Sequence, residues 1–413
     1  MSEPTDEIVI TGMGIVSPVG GDARTSIESI LRCESGVRLL PESQQDQTPV
    51  RLHAPVDDAG LTRLGRLERR RLDRSVQLAL QAAREAWEDA ARPEVEPIRL
   101  ASIIATGIGG LLTIFTGHER YLSKGHVGMS AFTVPALMSN AGAAVIATEF
   151  GAHAGALSLG SACASGSDAI AYALRLFKQD EIDVAIVGGS EAVIHPVTLS
   201  CFAALRALST RHDDPGGASR PFDRDRDGFV LGEGAAVLIL ERRRHAVARG
   251  AHIWGRLLGA GATCDATHIV APEPTGKWSA EAMLKALRAA CITPSDITFV
   301  SAHATGTGNG DLAESRALSE AFGKALNDVR ITASKSCIGH LVGASGAVSA
   351  ALAVGALHEG AVPPTRNLEN LDPEIDLNIV QGSPHKITDS TATALINSAG
   401  FGGHNVAIVV ARE

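Results

Sequence analysis

Residues 161–167 read Ser-Ala-Cys-Ala-Ser-Gly-Ser, and residues 301–307 read Ser-Ala-His-Ala-Thr-Gly-Thr. Each heptapeptide follows a short apolar run with strand character, Gly155 to Leu159 before the first and Ile297 to Val300 before the second. A second pairing keeps the same order: Gly228-Phe229 leads into Ala235 to Leu240, and Gly400-Phe401 leads into Val406 to Val410. Two ordered pairs point to an internal duplication. Its seam is expected near residues 245–255, after Arg242-Arg243-Arg244. The expected division is a first half over residues 1–250 carrying Cys163 and a second over 251–413 carrying His303, Lys335 and His340. In this register Cys163 and His303 are equivalent, so duplication alone predicts that they meet across a pseudo-twofold axis.

Outward from these stretches, short β-branched runs alternate with longer helical patterns, as in a layered α/β fold. Ile8-Val9-Ile10 ends at Gly12 and Gly14, Ser102-Ile103-Ile104 at Gly107, and Val184 to Val187 at Gly188-Gly189. Val76, Leu80, Ala83 and Trp87 recur at helical spacing and mark one apolar face. Val342 to Leu357 is uncharged and apolar but only 16 residues long and broken by glycine and serine, so it reads as a buried helix and not a membrane span.

Composition bounds the function. The 413 residues are 45% hydrophobic and 20% charged, which suits a folded chain with a sizeable core. Aromatics are only 4% and the net charge is -9, so neither stacking platforms nor a general positive field for nucleic acid is present. The six cysteines form no C-x-x-C pair and no metal-type cluster, so no metal centre is expected and reduced thiols in a cytoplasm fit the chain. Met1 to Glu7 is polar and acidic, with no secretory signal.

Cys163 falls at a strand-to-helix junction among small neighbours, Ala162, Ala164 and Gly166. Free N–H groups and the positive helix end favour a thiolate there, and small neighbours let backbone N–H groups reach an oxyanion. The setting alone serves a nucleophile and an inert buried thiol equally. The other five, Cys33, Cys201, Cys264, Cys291 and Cys337, read as inert. Lys335 and His340 lie in Ser-Lys-Ser-Cys-Ile-Gly-His at the entry to the buried helix, where a charge without a task is expensive. Gly400-Phe401-Gly402-Gly403 is a glycine loop holding one bulky ring, either a plain turn or a gate.

With these motifs assembled, the chain resembles the elongating β-ketoacyl-acyl carrier protein synthases. The likeness rests on IVITGMGIVSPVG (8–20), SACASGSDAIAYAL (161–174), ALSTRHDDPGGASRPFDRDRDGFVLGEGA (207–235), AHATGTGNGDLAE (302–314), SKSCIGHLVGASGAV (334–348), PEIDLN (373–378) and GFGGHN (400–405). It implies a thiolase-like fold of two duplicated αβαβα halves in five layers. It implies a Cys163, His303, His340 site with Lys335 beside it, and an oxyanion hole from the N–H groups of Cys163 and Phe401. It further implies pantetheine contacts from Thr305 and Thr307 and an acyl pocket lined by Ile108, Phe202 and Phe229. The expected reaction is decarboxylative condensation of a Cys163-bound acyl chain with a malonyl thioester. Substrates arrive on the phosphopantetheine of an acyl carrier protein, with no cofactor of the chain's own. Arg63, Arg66, Arg69, Arg70 and Arg206, with Arg71 and Arg74, form a local basic run; its alternatives are a solvated helix face or the docking surface for the acidic carrier. The expected assembly is a homodimer or a heterodimer with a chain-length-factor-like subunit, with no nucleic-acid or membrane partner.

Three positions depart from the family pattern. Ala304 stands where the family has glycine, Ala399 where elongating members have phenylalanine, and Ser349 where a glutamate pairs with the lysine. Glu314 is then the candidate partner for Lys335. The departures favour a specialised polyketide or polyene pathway over an ordinary fatty-acid one, while His404 resembles actinobacterial members of the family that handle long chains. A thiolase lacks support because its second cysteine is missing from GFGGHN, and a non-catalytic partner subunit is opposed by Cys163.

Overall fold

Residues 7–413 are described by the computed structural model; Met1–Asp6, most of the stretch read as lacking a secretory signal, lies outside the described residues. Ten strands make the main sheet: β1 (Ile8–Val16), β2 (Leu100–Ala105), β3 (Gly155–Leu157), β4 (Val184–Glu191), β5 (Gly234–Arg242), β6 (Gly255–Cys264), β7 (Phe299–Ser301), β8 (Arg330–Thr332), β9 (Thr393–Gly400) and β10 (His404–Ala411). The helices that position the site are α1 (Ala23–Leu31), α2 (Arg66–Arg71), α3 (Arg74–Asp89), α4 (Ser165–Lys178), α5 (Pro196–Ala204), α6 (Lys277–Ala290), α7 (Gly308–Phe322), α8 (Lys335–Ile338) and α9 (Ser345–Glu359).

The sheet order is β8-β7-β9-β10-β6-β1-β5-β4-β2-β3. Each half repeats one pattern: three parallel strands, then two antiparallel ones, with β1 and β6 meeting antiparallel at the middle. That central pairing spans only Ile8 to Ile10 against Gly255 to Leu257, so the halves join through a narrow seam. Helix α3 covers β1, β4 and β5 on one outer side, α6 covers β6 and β10 on the other, and α4 with α9 fills the space between. Five layers result.

Small residues set these spacings. A Cβ on Gly12 or Gly14 of β1 would fall 2.1 Å from the Ala86 carbonyl oxygen or 2.0 Å from that of Ala82, both on α3. Gly259 and Gly261 of β6 meet α6 alike, at 2.6 Å from Ala286 and 2.2 Å from Ala282. Glycine strands against alanine helices therefore recur in both halves. Helix α9 is buried from Ser345 through Leu357, as its apolar sequence predicts, although it starts three residues later than the apolar run.

The duplication is visible in the strand order, but the echo between 161–167 and 301–307 is out of register. Cys163 follows β3, whose counterpart is β8, whereas His303 follows β7, whose counterpart is β2. The true counterpart of Ala162-Cys163-Ala164 is Val342-Gly343-Ala344. Both are single 3-10 turns, and Ala162 and Val342 share a left-handed backbone, with φ 51° and 45°. The counterpart of Ala304 to Gly308 is Ala105 to Gly109. Recurrence of Ala, Ser, Thr and Gly in every such turn explains the false match. The pairing of Gly228-Phe229 with Gly400-Phe401 does fall before equivalent strands, β5 and β10. The run Gly155 to Leu159, read as strand-like, yields only the short and partly exposed β3 at one sheet edge.

Candidate active site

Cys163 is placed by a turn that the chain can make only with close backbone contacts. Ala162 takes the left-handed backbone, α4 begins at Ser165, and Gly400 at the end of β9 lies against the turn. A Cβ on Gly400 would stand 2.4 Å from the Ser161 carbonyl oxygen and 3.1 Å from the Cys163 nitrogen. This approach brings the Phe401 N–H to the Cys163 sulfur, where the N–H of Cys163 itself also points. Gly166 and Gly346 let α4 and α9 cross in contact; a Cβ on Gly166 would meet the Ala347 nitrogen at 2.6 Å.

One cavity is lined by Cys163, His303, His340, Phe401, Thr305 and Thr307, with Phe202, Phe229, Ala399 and Gly400 also in its wall. The His303 and His340 rings lie edge to face with centroids 5.5 Å apart. An aromatic series leads from the glycine loop inward: Phe401 to Phe202 at 6.5 Å, Phe202 to Phe229 at 5.4 Å, and Phe229 to His340 at 5.2 Å. The glycine loop is clasped from outside, because Gly402 N–H donates to the Ile269 carbonyl and Asp265 N–H to that of Gly403, both at 2.8 Å. Gly402 and Gly403 have φ of 90° and 78°, which explains glycine there. Gly402 lies behind the lining, and Ile108 lies outside it, 42% exposed on the β2–β3 crossover.

Electrostatics alter one expectation. Burial pushes the Cys163 thiol up to about 12, and Glu191 adds to the rise, against Lys335 and the Phe401 and Cys163 N–H groups. The start of α4 is worth at most about 2 kcal/mol, or ~1.5 pH units, so the resting group is a thiol and not the thiolate expected from its setting. Burial first, and Lys335 next, hold both imidazoles well below their ordinary range; His340 adds to the effect on His303. Both rings are therefore neutral at pH 7. The Nδ1 of His340 is 3.0 Å from the Ser345 hydroxyl oxygen at the start of α9.

Lys335, on the one-turn α8, is 3% exposed, and burial lowers it to about 8 against the charges of Glu314, Cys163 and Asp311. Glu314 of α7 is thus the first carboxylate acting on Lys335, while Ser349 is buried in α9. Glu314 also accepts from the backbone N–H groups of His303 and Ala304, each at 2.7 Å, and from Asn397 Nδ2 at 2.6 Å. One acid therefore anchors the histidine strand end and faces the lysine.

Glu191, unread in the sequence, ends β4 at 0% exposure. It accepts from Thr106 Oγ1 at 2.8 Å, Gly107 N–H at 2.7 Å and Gly343 N–H at 3.1 Å, tying the β2 loop to the counterpart of the Cys163 turn. Burial raises its carboxyl to about 7. An acid two residues after Gly188-Gly189 at the end of an apolar strand was the signal available.

The arginines divide. Arg63 pairs with Glu88 at 3.2 Å, and Arg74 is held by Glu233 and Asp58. Arg69 binds the carbonyls of Leu61 and Leu64, and Arg71 stands over Phe132 at 5.0 Å. Arg66 and Arg70 on α2, and Arg206 after α5, are exposed.

Comparison with known proteins agrees with this architecture. The N-terminal domain of the β-ketoacyl synthases matches residues 5–246 and the C-terminal domain matches 254–369. A 3-oxoacyl-[acyl-carrier-protein] synthase 2 of Mycobacterium bovis is 43% identical over 408 residues, 98% of this chain and 97% of that one. Among solved structures, AntDE:AntF, described as a type II polyketide acyl-carrier protein in complex with its ketosynthase bound to the hexaketide, superposes with a TM-score of 0.91 at 28% identity, covering 98% and 99% of the chains. The ishigamide ketosynthase/chain length factor gives 0.88 at 29% identity with the same coverage. A repeated five-strand half, a cysteine turn sealed by Gly400 and two neutral histidines in one cavity are thus the build of a family to which this chain belongs: the β-ketoacyl synthases.

Proposed function

We propose that the chain is a β-ketoacyl-acyl carrier protein synthase, an acyltransferase that joins a Cys163-bound acyl chain to a malonyl unit. The carrying observation is that the N–H groups of Cys163 and Phe401 converge on the sulfur in the same cavity as two neutral imidazoles. In the first half-reaction the Cys163 thiol attacks an acyl-pantetheine thioester. The tetrahedral oxyanion accepts from the two N–H groups, and the pantetheine thiol departs with a proton. A single such donor is worth about 10²–10³ in rate.

In the second half-reaction the malonyl thioester carbonyl accepts hydrogen bonds from His303 and His340. With the Ser345 hydroxyl donating to Nδ1, the Nε2 of His340 carries its proton toward the cavity. The malonyl carboxylate leaves as carbon dioxide, and its bonding pair becomes the enolate that attacks the Cys163 thioester. Cys163 leaves as thiolate and regains a proton. Neutral imidazoles suit this step because they donate hydrogen bonds to the developing enolate oxygen without being acidic enough to quench it by protonation. The reading asks for no cofactor beyond the carrier's pantetheine, which Thr305 and Thr307 would contact at the cavity wall.

Ala399 in the cavity wall supports stiffer or bulkier chains, as in polyketide or polyene extension, alongside the fatty-acyl reading drawn from the 43% identical relative. An acidic carrier would dock on the exposed Arg66, Arg70 and Arg206. Sheet edges support a dimer: β8 is covered by Asn378 to Val380, whereas no strand among the described residues pairs with the outer side of β3. A second copy or a chain-length-factor-like subunit would fill that edge.

The test supplies acyl carrier protein and carboxyl-labelled malonyl carrier protein. Wild type should release labelled carbon dioxide and form the 3-ketoacyl product, and Cys163→Ala should form none; equal product from both would sink the reading. In the same assay, Arg66→Glu with Arg70→Glu should raise KM for carrier protein about tenfold, ~1.4 kcal/mol, and an unchanged KM would remove the docking assignment.

A further inference from the structure

The segment joining β6 to α6 packs against the glycine loop that carries Phe401. Asp265 pins this segment at both ends. Its backbone N–H donates to the Gly403 carbonyl at 2.8 Å, its Oδ1 accepts from Asn405 Nδ2 at 2.6 Å, and its Oδ2 accepts the Glu273 N–H at 3.0 Å. The approach is close, since a Cβ on Gly403 would stand 2.8 Å from that of Asp265. Between Asp265 and Glu273 one further bond reaches the loop, from the Gly402 N–H to the Ile269 carbonyl at 2.8 Å.

Ile269 is 78% exposed, so packing does little to hold that carbonyl in place. His268 supplies the support. Its Nδ1 accepts from the backbone N–H groups of Val270 and Ala271, each at 3.0 Å, and folds residues 268–271 into a turn. Accepting both uses the Nδ1 lone pair, so the ring proton sits on Nε2. From Ala266 to Pro272 no other side chain among the described residues hydrogen-bonds to the backbone. Val270 and Ala271 also line the cavity, so the same turn shapes part of its wall.

We propose that His268 is a positioning residue for Phe401: by fixing the 268–271 turn it presents the Ile269 carbonyl to Gly402, and Phe401 is held between that bond and the contact of Gly400 with the Cys163 turn. Gly402 and Gly403 lie in left-handed backbone that glycine takes freely, so the loop's own residues restrain it little. The restraint comes from the neighbouring segment. With Ile269 in place the Phe401 N–H stays at the Cys163 sulfur, and its ring stays 6.5 Å from that of Phe202. An oxyanion donor works only at its proper distance, so a loosened loop slows the step that uses it. His268 acts through Ile269 and Gly402 and touches no reacting atom.

The effect on acyl transfer rests on the proposed activity; the hold on the loop does not. Full-length His268→Ala and His268→Asn are compared with wild type. Alanine removes the acceptor, whereas the asparagine side-chain oxygen can accept the N–H two residues on. In hydrogen–deuterium exchange read by mass spectrometry without substrate, peptides covering 266–273 and 399–405 should both exchange severalfold faster in His268→Ala. In His268→Asn both should exchange near the wild-type rate. Transfer of an acyl group from acyl-pantetheine to Cys163 should slow about tenfold in His268→Ala, with KM for malonyl carrier protein unchanged, and recover in His268→Asn. A 399–405 peptide that exchanges at the wild-type rate in His268→Ala would overturn the proposal. So would an asparagine variant no better than alanine, or a normal transfer rate alongside a loosened loop. The expected exchange pattern in a chain whose wild type transfers no acyl group would refute the proposed activity and leave the hold of His268 on the loop standing.

Discussion

Glu191 adds to the rise of the Cys163 thiol from a distance in sequence, because its carboxylate further disfavours the anion that burial disfavours first. Replacing it by glutamine keeps the shape and removes the charge. In Glu191→Gln the pH profile of Cys163 alkylation by iodoacetamide should move to lower pH, with a severalfold faster rate at fixed pH, about tenfold for each unit moved; an unmoved or slower profile would contradict the assignment. In the same variant the amide oxygen can take the place of Oε2 and keep both glycine N–H groups, but the amide NH2 then faces the Thr106 hydroxyl, which loses its acceptor, a loss of about 1–3 kcal/mol that should lower Tm. The pH dependence has a definite sign. Burial raises Glu191 from 4.5 to about 7, so the folded protein holds this proton more tightly than the unfolded chain. Its contribution is fully present below the unfolded value and is lost as pH rises through about 7. The Tm of wild type relative to Glu191→Gln should therefore fall between about pH 5 and 8.

Among the elements, the end of β9 does most to assemble the site, and Gly400 acts there through close approach. Its φ is not left-handed; the residue is glycine because the Cys163 turn leaves no room for a Cβ. Gly400→Ala should push the strand end away and withdraw the Phe401 N–H from the sulfur. Transfer of the acyl group to Cys163 should slow about 10²–10³-fold, with KM for the malonyl substrate nearly unchanged. Stopped-flow acylation with an acyl-pantetheine measures this, and a near-normal acylation rate would show that the donor is not needed. The sequence reading took GFGG as a turn or a gate and named Gly400 with it; Gly402 and Gly403 turn the chain in left-handed backbone, whereas the close contact of Gly400 with Ser161 spans the two halves and is not written in the loop's own residues. Helix α3, by contrast, is legible from Val76, Leu80 and Ala83, since its burial follows from local period alone.

At the scale of the whole molecule, the bare edge at β3 and the exposed Ile108, Phe132, Val134 and Leu157 lie on one sequence region, the β2–β3 crossover and β3 itself. An unpaired edge with apolar side chains is a site for pairing with another chain. Sedimentation equilibrium should find wild type near twice the chain mass of 42.8 kDa, and Leu157→Lys shifted toward a single chain. A wild type that sediments as one chain at micromolar concentration would overturn the homodimer. The net charge of -9 works against an acidic carrier at long range, so attraction must come from local arginines. Within that run Arg66, Arg70, Arg71 and Arg206 are exposed and held by none of the fold's own acids or carbonyls among the described residues, which the sequence could not distinguish because Glu88 and Glu233 lie 25 and 159 positions from the arginines they bind.

The sequence by itself determined where the candidate residues lie and the repeated build: Cys163 at a strand-to-helix turn, His303 and His340 at strand and helix ends, and two αβ halves. These depend on local spacing, residue size and hydrophobic period, which neighbouring residues carry. Tertiary structure decided the register of the repeat, the thiol state of Cys163 and Glu314 as the acid acting on Lys335. Each depends on desolvation or contact between residues that only the packing of α4, α7, α8 and α9 brings together, and a one-dimensional pattern records neither depth of burial nor distance.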